Sequence, residues 1–348
     1  MAAGRRAWFT GMRNWLKQLH LLRLPVLFFW RVMAGFRVYR SVLLSRGPDT
    51  VILGTAWMGT GDYYICGCLL PAWLDKNQIQ QYVFLSPDKA EKKVLQMFPA
   101  LEDHIQTLPD GPQYYHLLLF RAFLGPMHCR FLYLHHQQPF PTNDGLNLSN
   151  GDLQGFRGLN MMDFYLASGF CLSEDVTLKP PRFADDAERI GEWFTKYDLV
   201  PGKTVLLAPY STGLEEYLPP LSLWEKIADS LRNSGYCVCT NCFGNEQPVK
   251  GTIAVSVPFA QVVPFLNMAG GFIGIRSGLC DIISTSSCKK AVLHTYRAKW
   301  WPDGKSIVYT GIQTMGLDMF ANELECANSD TENLKIQILK LISRNSGA

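Results

Sequence analysis

From residue 50 onward, short apolar runs alternate with stretches in which apolar residues recur at helical spacing, the pattern of strands followed by amphipathic helices. Val51–Thr55 reads as a strand, and after Met58-Gly59-Thr60-Gly61-Asp62 the stretch Tyr63–Leu74 reads as a helix. Gln81–Leu85 and His104–Leu108 are further strands with a helix, Asp88–Met97, between them, and Tyr115–Phe123 and Arg130–His135 continue the series. Residues 137–158 are rich in Asn, Gly, Pro and Asp, a loop composition that suits the rim of a cleft. Met161–Leu172 and Phe183–Tyr197 have helical spacing, and residues 198–202 make a turn.

After that turn the alternation restarts. It predicts strands at Thr204–Ala208, Tyr236–Asn241, Thr252–Val255, Gly271–Ile275 and Lys290–Thr295, and helices at Leu221–Ser234, Ala260–Met268 and Leu279–Ser286. Strands that alternate with helices imply parallel sheets covered on both faces, with ligands bound beyond the carboxyl ends of the strands. The expected fold class is therefore α/β, with two doubly wound, Rossmann-like units facing a cleft. A length of 348 residues fits two such domains. The expected divisions are 1–48, a basic amphipathic segment; 49–197, a first Rossmann-like domain; and 198–348, a second.

Charge changes this picture at one end only. Residues 1–48 hold nine Lys and Arg and no Asp or Glu, leaving 24 of the chain's 33 cations against all 30 anions, a net of −6 for the body. The apolar residues of the basic segment, from Trp8 and Phe9 through Leu24–Trp30 to Phe36, are interrupted by Arg23, Pro25 and Arg31. That run is too broken for a spanning helix, which needs about 20 mainly apolar residues. It suits an interfacial anchor whose Arg and Lys meet anionic lipid, so residues 1–46 are expected to hold the protein on the inner, cytoplasmic face of the membrane. A helical arm packed on the body is the alternative. Ten cysteines in a chain this long do not make a disulfide framework and suit a reducing cytosol. Cys237, Cys239 and Cys242, with His294, are the one cluster to test as a metal site, and they lack the second well-separated pair that zinc sites use.

Three segments carry candidate chemistry. Gly59-Thr60-Gly61-Asp62 lies between a strand and a helix, where glycines permit a tight turn and close approach. Asp62 there is either an N-cap or a cleft-facing base for an acceptor hydroxyl. Position 64 is Tyr64, so the third glycine of a dinucleotide fingerprint is missing, which argues against a nicotinamide dehydrogenase. Ser211 and Thr212 follow the first strand of the second half and can donate hydrogen bonds to phosphate oxygens. Arg276-Ser277-Gly278-Leu279-Cys280-Asp281 follows an apolar strand at a helix start, a setting for a diphosphate, or else for a capping Ser277 and an Arg276 paired with a carboxylate. Glu246, in a turn after a strand, has the chemistry to accept hydrogen bonds from a ribose diol.

In series these pieces resemble the heptosyltransferase family of GT-B glycosyltransferases, which builds the inner core of bacterial lipopolysaccharide. The resemblance covers about residues 50–300 and implies an acceptor domain at 49–197 and a donor domain at 198–348. It implies Asp62 as the base, Gly59, Thr60 and Gly61 as the acceptor loop, and Ser211, Thr212, Ser277, Gly278 and Leu279 on the donor phosphates, with Glu246 on the ribose. The chain departs from the family at three points. Glu215-Glu216-Tyr217 stands where the family has a Lys, Arg276 stands where it has an Asp, and Asp281 or a neighbour stands in place of its His. One consistent account moves the phosphate-facing cation to Arg276. The implied partners are a nucleotide-diphosphate sugar and a membrane-associated glycan or glycolipid acceptor. No cofactor or nucleic acid is expected, and no metal ion either, since no Asp-x-Asp motif of the metal-dependent kind stands at a strand end. The alternative is a non-catalytic GT-B-like component that binds a nucleotide or glycan in a polysaccharide assembly complex.

Overall fold

The computed structural model describes residues 27–54, 59–87, 90–108, 116–117, 120, 131–133, 159–184, 186–211, 218–295, 306–326 and 331–343. Residues 1–26, the loop 137–158, Thr212 and the Glu215-Glu216-Tyr217 departure lie outside the described residues.

The first described element is a helix over 27–46, α1. Val32 and Val42 on one of its faces, with Phe36, Val38 and Tyr39 beside them, pack on Ile52, Val83, Leu85, Leu117 and Phe120. Gly35 makes the approach possible, because a Cβ there would stand 1.8 Å from the carbonyl oxygen of His116. The second half of the basic segment is thus a packed arm that closes one face of the first sheet. Its beginning is not covered in the same way: Phe29 and Trp30 are 63% and 57% exposed, and Leu27 and Phe28 are also exposed. No helix among the described residues is long and apolar enough to cross a membrane.

Strand β1 (Val51–Gly54) leads to helix α2 (Thr60–Lys76), followed by β2 (Tyr82–Pro87), α3 (Ala90–Leu95), β3 (Ile105–Leu108) and β4 (Phe131–Tyr133). These strands form a parallel sheet in the order β3-β2-β1-β4, with Val51 in register with Tyr82 and Ile52 with Phe131. The chain continues through a short helix α4 (Met161–Phe164), which runs into a π-turn (Tyr165–Gly169), and then helix α5 (Ala187–Lys196).

The second unit comprises β5 (Thr204–Ala208), α6 (Leu221–Asn233), β6 (Cys237–Asn241), β7 (Ile253–Val255), α7 (Phe259–Ala269), β8 (Gly270–Ile275), α8 (Gly278–Ile282), β9 (Lys289–Thr295), α9 (Ser306–Thr310), β10 (Asn322–Cys326) and α10 (Thr331–Ser343). Its sheet is parallel in the order β10-β9-β8-β5-β6-β7. Counted from β5, that is the 3-2-1-4-5-6 order of dinucleotide-binding sheets. Every residue of β5 is buried because both faces are covered. Val205, Leu207, Ile273 and Leu293 meet Trp224, Ile227 and Leu231 of α6 and Leu334 and Ile338 of α10. Leu206, Ala208 and Phe272 face α7 and join a core that continues into the first unit.

The connection between units is strapped down by backbone hydrogen bonds, Lys179 N–H to Cys68 O at 3.0 Å, Arg182 N–H to Met97 O at 2.7 Å and Ala184 N–H to Ala260 O at 2.8 Å. This extended strap occupies the residues where the apolar spacing predicts the first turn of a helix at Phe183. The helix starts later, with Asp186 capping it through the N–H of Arg189. Phe194 of α5 packs on Phe265 of α7, with ring centroids 5.3 Å apart, so α5 belongs to the second unit's packing although it precedes residue 198.

Candidate active site

In each sheet the strand order reverses direction beside the first strand, between β1 and β4 and between β5 and β8. Side chains and backbone just beyond those strands therefore meet without strand neighbours in the way. The segment entering α2 follows β1, and the turn Arg276-Ser277-Gly278 follows β8. The two come into direct contact. A Cβ at Gly278 would lie 2.1 Å from Thr60 Oγ1 and 2.2 Å from the backbone nitrogen of Gly61, and one at Gly61 would lie 2.2 Å from Asp281 Oδ2. Both glycines are needed because one helix start is packed against the backbone of the other. Deeper in the contact, the Tyr64 hydroxyl and Ser284 Oγ are 3.4 Å apart, and burial raises the Tyr64 phenol far above its usual range.

Asp62 stands in the first turn of α2, where its Oδ2 accepts the N–H of Gly59 at 2.8 Å. Its Oδ1 accepts the hydroxyl of Tyr165 at 2.7 Å. Capping and cleft-facing roles are therefore not exclusive: one oxygen holds the helix start, the other is aimed by a tyrosine, and each keeps a lone pair. Burial, then the charge of Asp62, push the Tyr165 phenol well above its ordinary value, so it stays a donor. Tyr165 is the site candidate that sequence reasoning misses. It lies in an apolar run that reads as plain helix, and it reaches Asp62 from the π-turn, a feature that often marks functional sites.

Arg276 is 9% exposed, and its guanidinium is largely committed. Nη2 and Nη1 donate to Asp281 Oδ1 at 2.6 Å and Oδ2 at 3.1 Å, Nη1 also donates to Ser277 O at 2.6 Å, and Nε donates to Thr310 O at 2.5 Å. Of the five N–H groups of a guanidinium, one on Nη2 has no partner among the described residues. Asp281 is itself buried. Burial pushes its carboxyl up to about 6 against the pull of Arg276, and the negative charge of Asp62 adds to the rise.

Gly59, Gly61, Asp62, Arg276, Ser277, Gly278 and Asp281 line one cavity of about 150 Å³, together with Met161, Thr295, Ser306 and Thr310. Thr60 touches Gly278, and Leu279 follows it at the start of α8. Neither Thr60 nor Leu279 lines the cavity itself, and Ser211 and Glu246 stand further from it. Ser211 follows β5 on the same sheet edge, and Glu246 follows β6, where its Oε2 accepts the N–H of Phe243 at 2.8 Å. Tyr210, beside them, donates to Gln247 O at 2.7 Å.

The cysteine cluster does not assemble. The thiols of Cys237, Cys239 and Cys242 face the carbonyls of Asp198, Val205 and Thr240, and His294 is bonded to Ser306 and Glu323 instead. Among the described residues no three His, Cys, Asp or Glu side chains are placed to hold a metal ion, and all nine described cysteines are free thiols.

No family model matches the chain, and no curated protein matches it in sequence. Solved structures do match. A glycosyl transferase family 9 protein from Veillonella parvula superposes over 85% of this chain and 93% of its own with a TM-score of 0.51, at 12% identity. The ADP-heptose lipopolysaccharide heptosyltransferase II of E. coli superposes over 84% and 98% with a TM-score of 0.54, also at 12% identity. With the two parallel sheets and their opposed switch points, these superpositions establish that the chain has the GT-B fold of the heptosyltransferases.

Proposed function

We propose that this protein is a glycosyltransferase that moves a sugar from a nucleotide-diphosphate donor to a hydroxyl of a membrane-associated glycan or glycolipid. The observation that carries the reading is the meeting of Asp62, aimed by Tyr165, with the Arg276-Ser277-Gly278 turn across the junction of two switch points. In this reading Asp62 removes the acceptor proton as the hydroxyl oxygen attacks the anomeric carbon, and the diphosphate leaves with the sugar's bonding electrons. N–H groups of the turn and the remaining Nη2 N–H of Arg276 meet the charge that grows on the leaving oxygen. Arg276 acts mainly as a brace, since Asp281 balances its charge. Ser211 and Glu246, on the same sheet edge, take the nucleotide end of the donor, and the sequence assigns Thr212 to it as well.

A cavity of about 150 Å³ is smaller than the roughly 300–1,000 Å³ usual for ligand sites. A nucleotide sugar therefore enters with the Gly61–Gly278 contact parted, and closure afterwards excludes water, the competing acceptor. Transfer without a metal ion is part of the proposal, and transfer should survive EDTA. The membrane role rests on the acid-free residues 1–48 and on the exposed Leu27, Phe28, Phe29 and Trp30 at the start of α1.

The deciding experiment is a binding screen of nucleoside diphosphates and their sugar conjugates, followed by transfer assays with the donor that binds. Asp62→Asn should bind that donor and lose transfer by at least a hundredfold, the usual scale of a general base. Full transfer by Asp62→Asn overturns the mechanism, and donor binding without turnover by the unsubstituted chain favours the non-catalytic alternative.

A further inference from the structure

Helix α1 has a second face that the core does not use. Its inner row, from Val32 and Gly35 to Tyr39 and Val42, packs on the first sheet and on His116 and Phe120. At 3.6 residues per turn the opposite row runs through Trp30, Arg37 and Leu44, seven residues apart, with Phe29 and Arg40, eleven residues apart, beside it. All five are exposed, Leu44 to 77%. At a rise of 1.5 Å per residue, the row from Trp30 to Leu44 is about 21 Å long. Because the packed inner row fixes how the helix is turned, these side chains cannot rotate into the core.

The outer row mixes apolar and cationic side chains, with Arg37 standing between Trp30 and Leu44. A protein interface has an apolar centre from which charges are depleted, so this mixture suits it poorly. A lipid surface accepts it: a tryptophan ring and a leucine enter the headgroup boundary, while arginine stems lie along that boundary and their guanidinium groups meet phosphate. Charge points to the same partner. Residues 1–48 contain no Asp or Glu, and among the described residues no carboxylate pairs with Arg37 or Arg40. An unneutralised basic face next to exposed apolar side chains is drawn to anionic lipid.

We propose that the outer face of α1, formed by Phe29, Trp30, Arg37, Arg40 and Leu44, lies flat on an anionic lipid surface. The inference rests on the membrane role in the proposed function and deepens it, since a rigid face of the fold, and not only a tether at the start of the chain, then meets the bilayer. Alternation along β1 and β2 sets the orientation. Ile52, Val83 and Leu85 face α1, whereas Leu53 and Phe84 face α2, where the rings of Phe84 and Tyr63 have centroids 6.2 Å apart. The first sheet therefore stands between the bilayer and α2. On the glycosyltransferase reading, the unit that carries Asp62 is the one held against the membrane that holds the acceptor.

The test titrates the full chain with vesicles of phosphatidylcholine alone, or of phosphatidylcholine and phosphatidylglycerol in equal parts, and measures binding by sedimentation. Arg37→Gln combined with Arg40→Gln should weaken binding to the anionic vesicles about 25-fold, about fivefold for each arginine removed from a lipid surface. Leu44→Gln should weaken it about tenfold through the apolar area it no longer buries. Lys203→Gln combined with Lys250→Gln removes the same charge from exposed positions of the second unit and should change binding about twofold at most. All of these side chains are exposed, so urea midpoints should match the parent's. Parent-like binding by the α1 variants, or an equal loss in the lysine control, overturns the proposal and leaves the tether as the membrane contact. Self-association of the chain that Leu44→Gln abolishes makes this face an interface between copies and overturns it as well. If the unsubstituted chain ignores anionic vesicles, the proposal falls together with the membrane role, while donor binding by the same protein decides the transfer chemistry separately.

Discussion

Gly278→Ala tests the contact on which the whole site depends. The added Cβ meets Thr60 Oγ1 at 2.1 Å and the backbone nitrogen of Gly61 at 2.2 Å, where ordinary contacts begin at 3.4 Å. The threonine hydroxyl can rotate away, but the nitrogen belongs to the first turn of α2 and cannot. The two helix starts must then part by about 1 Å, and overpacking of this kind costs about 1–3 kcal/mol. Gly191→Ala is the internal control: it lies within α5 with nothing within 4 Å of the new Cβ, so helix propensity alone should stabilise it by about 0.5–1 kcal/mol. Urea denaturation of both variants beside the unsubstituted chain measures the two effects with opposite expected signs. Because the proposed function has this contact part to admit a nucleotide sugar, Gly278→Ala should bind the donor at least as fast as the parent. A Gly278→Ala protein as stable as the parent refutes the close junction, and slower donor association refutes the argument that this contact gates entry.

Tyr165→Phe leaves Asp62 without its aimed donor and should lower transfer by about tenfold or more, the worth of a hydrogen bond to a charged group, while donor affinity is retained; equal loss in both readouts would mark a purely structural tyrosine. The Asp281 carboxyl, raised to about 6 by burial, should titrate near that value in ¹³C spectra. A group raised in this way contributes stability that is fully present below its unfolded value near 4 and lost as the pH climbs through about 6, so denaturation midpoints should fall across that window. A midpoint for Asp281 at or below the unfolded value would contradict the assignment. Deleting residues 1–26 should leave the fold intact and reduce sedimentation with anionic vesicles. Deleting residues 1–46 should also strip Val32 and Val42 from Ile52, Val83 and Leu85 and destabilise the protein. Undiminished vesicle binding by the shorter deletion removes the anchor from the proposal.

The amphipathic spacing alone places most of the second unit: the expected strand Thr204–Ala208 has the same bounds as β5, and the helix expected at Leu221–Ser234 differs from α6 by one residue. Strands buried on both faces must be apolar along their length, and helices that cover them must carry an apolar stripe, so local pattern and tertiary position coincide there. The elements after residue 300 are not legible in this way. Strand β10 reads Asn-Glu-Leu-Glu-Cys because it is an edge strand, and its Glu323 serves a hydrogen-bond network instead of the core.

The candidate site divides along the same line. Gly59, Gly61 and Asp62, and Arg276 through Asp281, stand out in sequence because strand-to-helix turns of glycine and capping residues have few other uses. That these two turns touch, that Asp281, Ser277 and Thr310 together take up four of the five N–H groups of Arg276, and that Tyr165 aims Asp62 from 103 residues away are decided only in three dimensions. Hydrogen bonds between remote residues leave no periodic trace in a chain. The basic segment makes the same point: its composition reads as one anchor, yet Val32 and Val42 are buried on the first sheet while Leu27–Trp30 stay exposed, because a helix with one apolar stripe buries that stripe wherever a sheet face lies open.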